Sequence, residues 1–381
     1  MLSGIVRVVG IATVVVSACA LGEPPLVDAH PTADPEGTRC GTATAAVGAR
    51  LGLPDGGSRV VREQGRSRLI AKSQVSLLSP DPSALVIGEA SLEEIDPATG
   101  TRRTIAHVSE PSGQFAISPD GNWIAMAQSH GALLSPFATE LELISRDGGL
   151  VRNVHSASES VSAISWSPDS RHVAFIADQH LLRADVTDLS ELEIATASSP
   201  SFARGYHVST WSSDGEWILF TGGAYSTIER VAPDGSGRHL FSSGKAFGFS
   251  PDGTQVAVAH YEGISVARLD GSDVRDIVAG LGGPVSWSPD GRAIAFVTVE
   301  GATMLCLISA DGTLRALGPC VAIDSPPPAW SPDGSRIAFL EMLSDENCRQ
   351  TPDVRLSVID VSSGSITPIS QDWFFDPVWV P

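Results

Sequence analysis

Lysine is almost missing from this chain: Lys72 and Lys245 are the only two in 381 residues, and all Lys and Arg together number 25 against 44 acids, a formal charge of −19. A surface of that sign repels phosphate backbones, and no basic run interleaved with aromatics overrides it, so nucleic acid is excluded as a partner. Long apolar runs are missing too: the one from Val8 to Val16 is too short for a finished membrane-spanning helix. No Gly-x-Ser-x-Gly elbow occurs, which removes the nucleophile turn of an α/β-hydrolase. The Gly-rich stretch Gly280 to Gly283 leads into a strand, so it offers phosphate no helix N-terminus. Cysteine is sparse, at five, and its spacing matches no pattern of closely paired zinc ligands. No metal or other cofactor is expected.

Turn residues, by contrast, are abundant, with 37 Gly and 26 Pro spread at the regular intervals that many short strands require. One phrase keeps returning, an aromatic or aliphatic residue followed by Ser-Pro-Asp-Gly and then an apolar triplet. It runs from Ile117 to Gly121, with variants at Trp166 to Asp169 and Trp211 to Gly215, then from Phe249 to Gly253, Trp287 to Gly291 and Trp330 to Gly334. A weaker copy spans Leu78 to Asp81. Measured at the Ser, the steps are 39, 49, 45, 38, 38 and 43 residues, a period that signals stacked four-stranded units of a β-propeller.

Each unit reads as four antiparallel strands. The residues entering the phrase form the first, and the phrase is its turn: Pro presets φ, Asp bonds the backbone ahead and Gly accepts positive φ. The apolar triplet is a second strand covered on both faces. A third and fourth strand surround a recurring second turn, as at Asp234-Gly235 and Asp270-Gly271. This gives an all-β fold of seven blades, with six as the alternative count. The tail Asp376 to Pro381 resembles a first strand lacking its partners, so it is expected to close the ring beside Ala84 to Glu89.

Phrase and period over about residues 75 to 381 resemble the propeller of the TolB-like family and related WD-like repeats, found also in oligogalacturonate lyases and prolyl-oligopeptidase relatives. The resemblance implies a propeller used for recognition. The lyases carry a His-rich metal site, which makes a metal-dependent polysaccharide lyase or hydrolase the alternative function. TolB itself has a further N-terminal α/β domain, for which the residues preceding the repeats are too few, so a Tol-Pal role does not carry over.

The start of the chain reads as an export signal. Val16-Ser17-Ala18-Cys19 resembles a bacterial lipobox, which implies cleavage before Cys19, acylation of Cys19 and anchoring to a membrane by more than one acyl chain. An ordinary signal-peptidase site at Ala18 is the competing reading. The expected domains are a signal peptide over 1–18, a Pro-rich tether and linker over 19–60, and the propeller over 61–381. Cys40, Cys306, Cys320 and Cys348 then form an even set in an exported chain, which argues for two disulfides. Cys320 with Cys348 is the preferred bridge, leaving Cys40 with Cys306, while Cys306 with Cys320 would also be local.

Repetition argues that the phrase aspartates are turn formers and the phrase tryptophans wedges between blades. In an antiparallel blade, the connection after the second strand and the exit from the fourth share one face. His130, His180 and His260 are expected to end second strands and Tyr206 and His207 to precede a first strand. With Tyr261 they form the candidate binding face, which Gln128, Asp178, Glu300 and Glu341 join by the same logic. The expectation is a lipid-anchored recognition module on the outer side of a cell membrane, binding an envelope protein, peptide or glycan.

Overall fold

The computed structural model describes residues 40, 42–43, 68–74, 90–96, 101–108, 114–129, 139–158, 161–196, 209–221, 227–280, 282–298, 303–321, 326–343, 354–369 and 373–380. They form seven antiparallel sheets. From first to fourth strand, blade 1 is Trp373–Val380, Arg68–Gln74, Ala90–Ile95 and Arg102–Val108. Blade 2 is Phe115–Ile117, Trp123–Ser129, Thr139–Ser145 and Val151–Ala157; blade 3 is Val161–Trp166, His172–Ala177, His180–Asp185 and Glu191–Thr196. Blade 4 is Ser209–Trp211, Ile218–Thr221, Thr227–Val231 and His239–Ser243; blade 5 is Ala246–Phe249, Gln255–His260, Gly263–Arg268 and Arg275–Ala279. Blade 6 is Gly282–Trp287, Ala293–Thr298, Met304–Ser309 and Leu314–Cys320; blade 7 is Ala329–Trp330, Arg336–Met342, Val354–Asp360 and Ile366–Pro368.

The core is divided into seven apolar clusters, one at each seam between neighbouring blades. Strand alternation produces this division: Ile294 and Phe296 face blade 5, while Ala295 and Val297 face blade 7. A second strand must therefore be apolar on both faces, which explains the unbroken runs in the sequence. The phrase tryptophans are the wedges. Trp166, Trp287, Trp330 and Trp379 each donate their indole N–H to a carbonyl of the preceding blade, those of Ala116, Gly248, Ser286 and Ala329, at 3.0, 3.0, 3.3 and 2.9 Å. Trp211 departs from the rule, its indole nitrogen being buried without an acceptor; it sits beside the bulge of blade 3, where Ala163 takes φ 53°.

The phrase forms one turn six times over. In blade 2 the Ser118 hydroxyl donates to Asp120 Oδ1 (2.5 Å) and accepts the Trp123 N–H (2.9 Å), while the Asn122 N–H donates to the same carboxylate (3.1 Å). Blade 3 departs by putting Ser170 at φ 60° where the other phrases have Gly, a conformation costing an L-residue about 1–2 kcal/mol. The Ser170 hydroxyl offsets part of this by accepting the Asp120 N–H of blade 2 at 3.0 Å. At Gly253 the constraint is steric as well, since a Cβ there would lie 1.8 Å from Ser213 Oγ of blade 4.

Two features depart from the sequence reading. The tail strand pairs with Arg68–Gln74, from Arg68 opposite Val380 to Gln74 opposite Trp373; Ala84 to Glu89, expected beside it, lie outside the described residues together with the weak phrase at Leu78 to Asp81. Closure brings together two segments remote in sequence, so this pair needs no turn phrase between its strands. Within the segment read as linker, Thr42–Ala43 adds a fifth strand to the outer edge of blade 5, opposite Ala279 and Val278. Beside it, Cys40 is bonded to Cys306 of blade 6 across 266 residues of sequence, and both are buried.

Candidate functional site

Successive antiparallel pairing puts the phrases and the turns between third and fourth strands on one face, and the hairpins between second and third strands on the other. Of the residues expected on that hairpin face, His130, Tyr206 and His207 lie outside the described residues, as do Glu300, Cys348 and the acylation candidate Cys19. His180, His260 and Tyr261 are described, and so are Gln128, Asp178 and Glu341.

In blade 3, Asp178 and Gln179 both take positive φ, 46° and 69°, as a two-residue hairpin demands. His180 consequently opens the third strand rather than ending the second, which corrects its expected place by one turn. Asp178 Oδ2 accepts the N–H and hydroxyl of Ser158, at 2.9 and 3.0 Å, tying the hairpin to the exit of blade 2. His180 Nδ1 meets Glu193 Oε1 at 2.9 Å, and that contact holds the Glu193 carboxyl below its ordinary range.

Blade 5 carries the more elaborate hairpin. His260 pairs with Gly263 across Tyr261 and Glu262. His260 Nδ1 accepts the Glu262 N–H (3.3 Å), which leaves the proton on Nε2, 2.6 Å from Ser265 Oγ; Ser265 in turn donates to Asp276 Oδ1 at 2.7 Å. A nucleophilic triad requires histidine to take the serine proton. Here the hydroxyl hydrogen points at the carboxylate and the imidazole is itself a donor, so the chain of bonds braces the hairpin and does not activate Ser265. Tyr261 is left 60% exposed, with the Lys245 ammonium 3.6 Å from its ring centroid, a cation–π pair worth about 0.5–1 kcal/mol at an exposed site.

The two candidate histidines that are described do not come together: His180 and His260 sit on blades 3 and 5, each bound within its own blade. Among the described residues no group of three His, Cys, Asp or Glu is placed to hold a metal ion. Gln128 and Glu341 are buried and engaged, Gln128 with Glu142 and Glu341 with Arg355 (2.8 and 3.0 Å) and Ser357. The phrase aspartates are bound within their turns, and the Ser167 hydroxyl holds the Asp169 carboxyl below its ordinary range. Cys320 is disulfide-bonded. Sequence reading missed Lys245, Ser265 and Asp276. The signal was available in part, since Lys245 is one of two lysines and Ser265 lies directly opposite Asp276 once the strands are aligned.

The likeness of this architecture to solved structures is broad. A periplasmic gluconolactonase from Pseudomonas aeruginosa matches with a TM-score of 0.54 and 18% identity, over 83% of this chain and 99% of that one. The fold is a seven-bladed β-propeller. An oligogalacturonate lyase from Vibrio parahaemolyticus matches with a TM-score of 0.51 and 14% identity, over 81% and 87% of the two chains. TolB from Acinetobacter baumannii gives 0.49 and 15%, over 76% and 79%. At these identities the likeness speaks for architecture alone. No family model matches the chain, and no curated protein matches it.

Proposed function

We propose that the chain is an exported recognition module, held at a membrane surface through acylated Cys19, whose hairpin face binds an envelope protein, a peptide or a glycan. The observation that carries this reading is the blade 5 hairpin. His260, Ser265 and Asp276 are bonded in series, and the exposed ring of Tyr261 stands against the Lys245 ammonium at the end of this strand pair. An exposed aromatic on a braced platform supplies contact area at low ordering cost, which is what recognition surfaces use. The buried Cys40–Cys306 bond supports an oxidising, extracytoplasmic compartment.

The test places a photo-crosslinking residue at position 261 in the full chain in intact cells, followed by mass spectrometry of the captured adduct. A protein, peptide or glycan adduct that is lost when the crosslinker is moved to the opposite face, at position 271, supports the reading. Capture from both positions alike, or from neither, counts against it. Changing Cys19 to Ala is expected to move the protein from the membrane fraction to the soluble one, and retention on the membrane would overturn the anchor. A stoichiometric divalent ion after chelator-free purification would shift weight to the metal-dependent lyase.

A further inference from the structure

On the phrase face, opposite the hairpins, blades 2 and 6 present the same clamp with different contents. In blade 2 the second residue of the fourth strand is Arg152, opposite Leu143; in blade 6 it is Arg315, opposite Leu307. Each arginine reaches across the seam to a backbone carbonyl of the following blade, Arg152 to Val186 and Arg315 to Val361. Those two acceptors occupy equivalent places, because the Val186 N–H donates to Arg171 O and the Val361 N–H to Ser335 O, each the second residue after its phrase's Asp. In blade 2 the guanidinium lies 5.6 Å from the ring centroid of Trp123, two residues beyond the phrase glycine. Blade 4 repeats the idea with an arginine from its third strand: Arg230 sits 4.0 Å over Trp217, again two residues beyond the glycine, and donates to Leu269 O of blade 5 at 2.7 Å.

In blade 6 the residue at that place is Ala293. The clamp is complete and the ring is missing. A cleft of about 560 Å³ stands there instead, its walls formed by Ala293, Leu307, Ala310, Arg315, Trp330 and Val361 among others. That volume falls within the roughly 300–1,000 Å³ of ordinary ligand pockets. The mix suits a flat aromatic group: apolar walls for the ring, and a guanidinium whose positive charge complements the negative face of a π-system. Arg292, Asp290 and Asp311 at the same cleft supply charges of both signs for whatever carries the ring.

We propose that this cleft is a binding site for the aromatic side chain of a partner protein or peptide, tryptophan above all, seated under Arg315 in the place that Trp123 and Trp217 fill from within their own blades. The site is independent of the hairpin face and lies on the opposite side of the ring. The recipe for its occupant is printed twice elsewhere in the molecule.

The test titrates the full chain with N-acetyltryptophanamide, monitored by saturation-transfer difference NMR and calorimetry, with N-acetylleucinamide and free indole as the other arms. The expected result is saturable binding of the tryptophan amide, weaker by about tenfold or more for the leucine amide and abolished in Ala293→Trp, which fills the cleft in cis. The same substitution is expected to raise the melting temperature by reproducing the clamp of blade 2. Should Ala293→Trp fail to fold, Ala293→Leu gives the same reading through loss of binding. No saturable binding to the wild-type chain, or binding that survives a folded Ala293 variant, would overturn the site. Free indole binding more tightly than the amide would overturn the side-chain assignment.

Discussion

Changing Trp379 to Ala tests the closure of the ring where it is made. The strand Trp373–Val380 is joined to Arg68–Gln74 by pairing alone, with no hairpin between them, so side-chain packing must hold together what covalent connection holds elsewhere. Trp379 is 8% exposed and packs with Ile95 of blade 1 and Ala338, Leu340, Leu356 and Val358 of blade 7. Its indole donates to Ala329 O at 2.9 Å, and the Arg336 guanidinium lies 4.8 Å over the ring. Emptying such a site costs about 3–5 kcal/mol, of which the cation–π contact supplies about 0.5–1 kcal/mol. With an unfolding entropy of about 2 cal/mol/K per residue over the roughly 240 described residues, a loss near 4 kcal/mol lowers the melting temperature by about 8 °C.

Trp166 provides the control. It is 7% exposed, donates to Ala116 O at 3.0 Å and sits on a strand that a covalent turn joins to the next. Urea and thermal unfolding followed by circular dichroism should give Trp166→Ala a loss of similar size. Limited proteolysis within Arg68–Gln74 should accelerate only in Trp379→Ala. A Trp379→Ala chain within about 1 kcal/mol of wild type would refute the argument that packing at this seam closes the ring.

Changing Cys40 to Ser opens a bond spanning 266 residues, with an expected stability loss of about 3–5 kcal/mol and faster amide exchange in Arg275–Ala279, whose outer edge Thr42–Ala43 covers; unchanged exchange would show that the added strand holds without the bond. Acid should destabilise the chain with a defined sign. The Ser362 hydroxyl and the Ser363 N–H lower Asp360 to about 2, and the Ser167 hydroxyl lowers Asp169. Their contribution is complete above the unfolded carboxylate pKa of about 4 and is lost as pH falls toward the folded value. Melting temperatures recorded from pH 7 to 2 should therefore hold down to about pH 5 and then drop, with a shallower drop in Asp360→Asn.

Blades 2 to 7 were legible because they restate one solution: a turn with Ser and Asp at fixed places and Gly, or Ser170 in blade 3, after them, then a strand apolar on both faces. The closing partner Arg68–Gln74 was not, because a strand paired without a hairpin carries no phrase. Thr42–Ala43 is two residues long, so it has no periodicity to read. His180 was misplaced by one turn because Asp178 and Gln179 are not glycines, yet both adopt positive φ. The cleft at Ala293 was invisible for a different reason: a small residue signals nothing until the aromatic residues at equivalent positions are seen clamped under arginine.

The bond between Cys40 and Cys306 also decides where the molecule feels a pull. Tension arriving along the residues before Cys40 meets a covalent link into the third strand of blade 6 and an added strand on blade 5. The force thus enters at the seam between blades 5 and 6. The closing pair of Arg68–Gln74 with Trp373–Val380, the one first-to-second strand pair with no turn to hold it, is never asked to resist unzipping. A pull on the residues before Cys40 therefore loads the ring at its side, away from its clasp.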